Sequence, residues 1–172
     1  AANPVMEQSV LDRLKNGNSL EEIQRLVEEE GAEGLYHLGQ LVGCVKRAHD
    51  IDANLSAHVM HENLVSKASS VLALLNVIHV TGIDRNQVEY VIDCAEEACG
   101  DINQRGGGNF AKSAAEIAGL NNASGSDCRA FCAAPAHAMI EAAALVASGA
   151  YHTVVVTAGG CTAKLGLSLI HI

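Results

Sequence analysis

The stretch from Ser126 to Thr157 constrains this chain more than any other, because the pattern in it changes from strand to helix and back. Pro135 fits a helix only in the first turn, where its missing N–H would have no intrahelical partner. The Ala-rich run after it, to Ala147, is strongly helical, and Ser148-Gly149 ends it. Thr153-Val-Val-Val-Thr157 then reads as a strand. The stretch therefore predicts strand, buried helix, strand, with Cys132 in the first turn of the helix or at its N-cap. Open N–H groups and the positive end of the helix dipole favour a thiolate there, and the arrangement suits acyl transfer. The competing reading makes Cys132 a small buried apolar residue. Cys128 falls on the incoming strand, where no dipole assists it.

Upstream, residues 6–16 and 20–30 read as two short amphipathic helices. Ser19 and Glu22 form a capping box for the second. Residues 33–54, with spaced glycines, suggest loop or short strand. Lys46, Arg47, His49 and Asp50 there form a polar cluster that either lines a site or stabilises a surface loop, the second being favoured. Residues 56–80 predict a long helix, with Leu64, Val71, Leu72, Leu75 and Ile78 on or near one face. His58 and His61 lie one turn apart on it, but without a third ligand in phase they are expected to serve the surface or packing. Gly82-Ile-Asp84 turns the chain into a buried strand over 88–94. Glu96, Glu97, Cys99 and Asp101 come next, at the end of a strand where α/β proteins build sites. Read from position alone, Glu96 is a plain surface carboxylate. Three glycines at 106–108 allow close approach of a ligand or simply a flexible loop, and the Lys-Ser/Thr spacing of a phosphate loop is missing. Residues 110–119 make another helix. The alternation from residue 56 onward is that of a layered α/β domain.

At 172 residues the chain is long enough for one domain with a real core, and 49% of it is hydrophobic. Ala and Gly are abundant and aromatics few, so tight helix and strand layers are expected. A net charge of −9 argues against nucleic acid as a partner. No signal peptide is visible and no apolar run reads as membrane-spanning, which predicts a cytoplasmic protein away from the membrane. The six Cys read as thiols rather than a disulfide framework. Their spacing is poor for zinc, so no metal site is expected. Ala1-Ala-Asn-Pro4 carries no Met, and residues 168–172 resemble a translated cloning adapter. The expectation is an internal piece of a longer protein with a non-native tail.

Residues 82–160 resemble the N-terminal half of ketoacyl synthase III enzymes, which have the thiolase fold. The resemblance is carried by the Gly82-Ile-Asp84 turn, the Phe110–Leu120 helix ending in Gly-Leu, the Cys132 junction, and Ser148-Gly149-Ala150. Residues 20–167 are similar to the component C beta subunits of glycine/sarcosine/betaine reductase complexes. The stretches concerned are Glu33-Gly-Leu-Tyr36, Leu41–Asp52, Glu96–Lys112, Phe131-Cys-Ala-Ala-Pro135 and Ala158–Gly166.

The resemblance implies an α/β, thiolase-like fold: an N-terminal half, layered αβα, over residues 33–167, with a helical lead-in at 1–32. It implies a role in anaerobic amino-acid fermentation, in which component C takes a carboxymethyl group from a selenoprotein carrier and releases acetyl phosphate. Cys132 would be the nucleophile and phosphate a co-substrate, with no cofactor bound directly; Glu96, which resembles the post-strand Glu of some thiolase-fold synthases, would be an acid/base group. The partners implied are the other component C subunit and the selenoprotein carrier, in an oligomeric assembly. The His and Asn/His groups that activate the cysteine in that family belong to its second half. None of the eight His here matches them, and His137 is expected to point away from Cys132 and pack. Two other readings stand beside this one. One is a non-catalytic scaffold subunit of the complex. The other is a ketoacyl-carrier-protein synthase III condensing enzyme, which the Glu96–Asp101 loop and the lead-in helices argue against.

Overall fold

The computed structural model of the chain describes residue 12 and residues 16–47, 56–95 and 109–161. The expected helix over 6–16, apart from Asp12 and Asn16, the segment from Glu96 to Gly108, and the tail at 168–172 lie outside the described residues. So do His49 and Asp50.

Helix α1 spans Leu20–Glu30. The Ser19 hydroxyl accepts from the Glu22 N–H at 3.3 Å, and Gly31 at φ 67° ends the helix. The Glu22 carboxylate is taken up by the Arg25 guanidinium at 2.9 Å. The segment expected to be loop or short strand is an antiparallel hairpin, β1 Glu33–His37 and β2 Gln40–Val45. Its turn is Leu38-Gly39, both at positive φ, as a two-residue hairpin requires. Lys46 reaches Glu30 at 3.0 Å and ties the hairpin to α1.

Helix α2, Ala57–Thr81, starts at Ser56, whose hydroxyl accepts from Val59 N–H, and closes at Gly82, φ 65°. Val71, Leu74, Leu75 and Ile78 form its buried stripe, with the i, i+3, i+4, i+7 spacing of a helix lying on a core. Leu64 is exposed and Leu72 only partly covered, contrary to the expectation for that face. In the five residues just before the stripe, the helix meets the exit of the last strand through Ser66, Ser69 and Ser70 instead. By length and composition α2 could cross a membrane, which corrects the reading that no run qualifies. Its buried stripe packs into the larger of two apolar clusters, together with sheet and helix residues from further along the chain.

The strands β3 Tyr90–Asp93, β4 Ser124–Asp127 and β5 Val154–Thr157 form one parallel sheet in the order β4-β3-β5. Tyr90 stands opposite both Ser124 and Val154, and Asp93 opposite both Asp127 and Thr157. The three expected strands do share one sheet, although β4 is the polar stretch Ser-Gly-Ser-Asp and not an apolar run. Strand alternation sends Val91 and Val155 to one face, against α2 and helix α3, Phe110–Ile117. Ile92, Val154 and Val156 pack on the other face, against Ala134 and Ala138 of helix α4, Ala134–Ala147. The result is helix, sheet, helix, with β3 at the centre.

The expectation of a buried α4 is overturned. Only Ala134 and Ala138 are buried, while Met139 is 61% and Ile140 69% exposed. The helix is apolar nearly all round, and the sheet covers one stripe of it. That composition is typical of a helix between two layers.

Leu74 is fully buried in the larger core. Leu74→Ala should lower unfolding stability by about 2–5 kcal/mol, through lost transfer energy and a residual cavity. Denaturant titration checks this. Gly159 is a second sensitive point. A Cβ there would lie 2.2 Å from the Ser66 carbonyl oxygen and 2.5 Å from the Ser70 nitrogen, both backbone atoms. Gly159→Ala must push the exit of β5 off α2, and a loss of about 1–3 kcal/mol or more is expected in the same measurement.

Candidate functional site

The C-terminal ends of parallel strands leave main-chain groups and side chains converging beyond the sheet, and α/β proteins place their sites there. Here Asp93, Asp127 and Thr157 end β3, β4 and β5 side by side. Asp93 is 1% exposed. Its Oδ1 accepts from Ser70 Oγ at 2.6 Å, and its Oδ2 faces Arg129 Nη2 at 2.9 Å. Burial pushes the Asp93 carboxyl up from its ordinary value, against the downward pull of the Ser70 hydrogen bond and the Arg129 charge.

Asp127 is fastened differently. Its two carboxylate oxygens accept from Phe110 N–H at 3.0 Å and Ala111 N–H at 2.9 Å, the opening amides of α3. Asn109 completes that cap, accepting from Lys112 N–H at 2.8 Å and donating to the Gly125 carbonyl at 2.8 Å. Asp127 Oδ2 also lies 3.2 Å from Arg129 Nη2. Arg129, its side chain 18% exposed, thus sits between two carboxylates. Its Nη1 donates to the Asp93 carbonyl at 2.8 Å and to the Cys128 carbonyl at 3.4 Å. Nη2 stands at ion-pair distance without hydrogen-bond alignment.

The chain then leaves the sheet abruptly. Ala130 has φ −153° and ψ 35°, and Phe131 has φ 48°. A bulky residue in the left-handed region is strained, and such strain clusters at functional sites. A 3-10 turn, Phe131–Ala133, leads straight into α4, whose start has no side-chain cap. Pro135 lies in the opening turn of α4, as its chemistry demands. Cys132 lies in the 3-10 turn, just ahead of the helix rather than within its first turn or at its N-cap, which is Ala133. It is exposed, so the reading of it as a buried apolar residue is overturned. Cys128 comes one residue after β4 and is partly buried. Its Sγ donates to the Ala134 carbonyl at 3.8 Å. Cys94 is buried behind it, and burial pushes that thiol up.

Glu96 lies outside the described residues, so the structure brings only Cys132 of the two sequence-selected residues into view. His137 is exposed on α4, not packed as expected, because the stripe carrying it faces away from the sheet. His58 pairs with Glu62 at 3.1 Å, a carboxylate in phase that the sequence reading discounted. Among the described residues no group of His, Cys, Asp and Glu is placed to hold a metal ion. The cluster of Ser70, Asp93, Asp127 and Arg129 was not anticipated. Its one sequence signal is a charged residue closing each of two short strands. An apolar groove also runs along β5, lined by Val77 and Ile83 on one side and Met139 and Ala142 on the other, but Cys132 does not border it.

No family model matches the chain. Over 168 residues, 98% of its length, it is 56% identical to the glycine/sarcosine/betaine reductase complex component C subunit beta of Peptoclostridium acidaminophilum. It spans 33% of that relative's length.

Proposed function

We propose that this chain, a homologue of one third of component C subunit beta of the glycine/sarcosine/betaine reductase complex, carries the acyl-accepting cysteine of such a complex at Cys132. The single observation behind the reading is an exposed thiol on a strained turn at the head of a helix with no side-chain cap. The fold proposed is the N-terminal half of a thiolase-like domain, for which the helix–sheet–helix layering and parallel sheet are support.

In this reading the selenium–carbon bond of the carrier's carboxymethyl group breaks as the selenium and a thiol reductant of the complex join in a selenide–sulfide, supplying the two electrons that turn the methylene into an acetyl methyl. The Cys132 sulfur bonds to the carboxyl carbon and the hydroxyl of that carbon leaves as water. Backbone N–H groups at the start of α4 stabilise the tetrahedral oxyanion, aided by the helix dipole. The thioester that results is cleaved by phosphate. Phosphate oxygen bonds to the acetyl carbon, the carbon–sulfur bond breaks, acetyl phosphate leaves and the thiolate is restored. Glu96 is the proposed acid/base group. The other component C subunit and the carrier are the proposed partners, the assembly oligomeric and cytoplasmic, and no cofactor is held directly.

Running the last step backwards tests the proposal. Isotopically labelled acetyl phosphate should acetylate the intact complex at Cys132, located by peptide mass spectrometry. Label on another subunit, with none on Cys132, would instead favour a scaffold role. The exposed apolar face of α4 supports that second reading, since it suits contact with another protein layer.

A further inference from the structure

We propose that Arg129 is a positioning residue for Cys132: clamped between Asp93 and Asp127, it holds the strained Ala130–Phe131 turn that presents the thiol. The inference rests on the reading of Cys132 as nucleophile, and deepens it.

The clamp is built from three separate elements. Asp93 belongs to the central strand and is fixed by Ser70 of α2 at 2.6 Å. Asp127 belongs to β4 and is fixed by the first amides of α3. Arg129 contacts both carboxylates, so its guanidinium is located relative to the sheet and to two helices at once.

It is also tied to the main chain. Beyond the paired residues of β4, one ladder-like bond continues the strand, from Cys128 N–H to the Asp93 carbonyl at 2.9 Å. Arg129 Nη1 donates to that same carbonyl and to Cys128 O. A guanidinium there only to neutralise Asp93 would not need these carbonyl bonds. They hold the backbone at the last point before it turns.

The Ala130–Phe131 turn needs such an anchor. A non-glycine residue in the left-handed region costs of order 1–3 kcal/mol and persists only where its surroundings enforce it. Phe131 itself is 68% exposed, so its ring supplies little packing to enforce anything. Within the turn, Ala133 N–H donates to the Ala130 carbonyl at 3.1 Å, which closes the 3-10 turn but does not fix it to the sheet. The Arg129 clamp, immediately upstream, does fix the chain to the sheet. Cys132 is next in the chain after the strained residue, so a relaxed Phe131 moves the thiol relative to the start of α4.

The test uses the intact subunit in its complex, with Arg129→Gln and Arg129→Lys. Two readouts are taken together: the iodoacetamide alkylation rate at each cysteine, resolved by mass spectrometry, and kcat and KM for phosphate-dependent acetyl phosphate release. In Arg129→Gln, Cys132 alkylation should slow about tenfold as the thiol leaves the helix start. kcat should fall about 100-fold with KM for phosphate little changed, the mark of misplacement rather than lost binding. Buried Cys94 should stay protected, showing that the fold survives. Arg129→Lys, which keeps the charge and one donor direction, should recover part of both rates. The proposal is overturned if Arg129→Gln leaves Cys132 alkylation and kcat unchanged. It is overturned equally if, in both variants, Cys94 becomes reactive to the same degree that Cys132 slows, which would make Arg129 purely structural. If Cys132→Ala keeps turnover, the nucleophile reading fails, yet the alkylation rates still report whether Arg129 positions that thiol.

Discussion

On the proposed reading, replacing Cys132 by Ala in the intact complex should abolish covalent acetylation of this subunit and lower acetyl phosphate release by several orders of magnitude, while assembly is unaffected. Removing a covalent nucleophile deletes the path that splits one difficult step into two easier ones, and losses of about 10⁴-fold or more are usual. Assembly should survive because the Cys132 side chain is exposed and contributes nothing to either core cluster. Cys128→Ala is the matched control. Its thiol packs against the smaller apolar cluster and donates only a weak bond to the Ala134 carbonyl. It should cost about 1 kcal/mol of stability at most and leave turnover near normal. Size-exclusion chromatography of the complex and a stopped assay of acetyl phosphate check both variants. Normal turnover in Cys132→Ala would transfer the reaction to another subunit and leave this one the scaffold.

The sheet and its helices were legible because each was announced by local chemistry. Pro135 and the alanine run fixed α4 to within a residue, and Ser56 and Gly82 bracket α2 with ordinary cap residues. The hairpin was not legible. Its turn is Leu38-Gly39, and a leucine at φ 49° gives none of the Asn-Gly signal that marks such turns. The stripe of α4 that stays exposed was not legible for a different reason. A helix apolar on every side reads as buried, and nothing in its own sequence says which stripe the present layers cover. The charged cluster is a long-range object. Arg129 meets Asp93 across 36 positions of sequence, and only the parallel register that aligns Asp93 with Asp127 brings them together. Local pattern carries the elements, but sheet order decides which strand ends become neighbours, and the site depends on that order. The place of Cys132, just ahead of a helix start, was legible because that signal is local.

Asp93→Ala should be strongly destabilising, at about 3–5 kcal/mol, because it leaves Arg129 largely buried with one of its two carboxylates gone and the Ser70 hydroxyl without its acceptor. Asp93→Asn keeps an acceptor for Ser70 and nearly the same volume, so it should lose less. The two variants also separate charge from shape through pH. Burial raises the Asp93 carboxyl above its ordinary value despite Ser70 and Arg129. The folded state therefore holds this proton more tightly than the unfolded state. Below the unfolded value both states are protonated and the full contribution is present. As pH rises from there through the folded value, the unfolded chain releases its proton first and stability declines. Glu89 works in the opposite sense. Backbone N–H groups of His152 and Thr153 hold its carboxylate down, so its contribution is present above the unfolded value and fades as pH falls through the lowered one. Denaturant titrations from acid to neutral pH should show the decline assigned to Asp93 in the parent protein and its absence in Asp93→Asn. The Glu89 limb at lower pH should persist in both. An Asn variant that kept the full decline would place the titrating group elsewhere, and would mean that Asp93 stays ionised against Arg129 throughout.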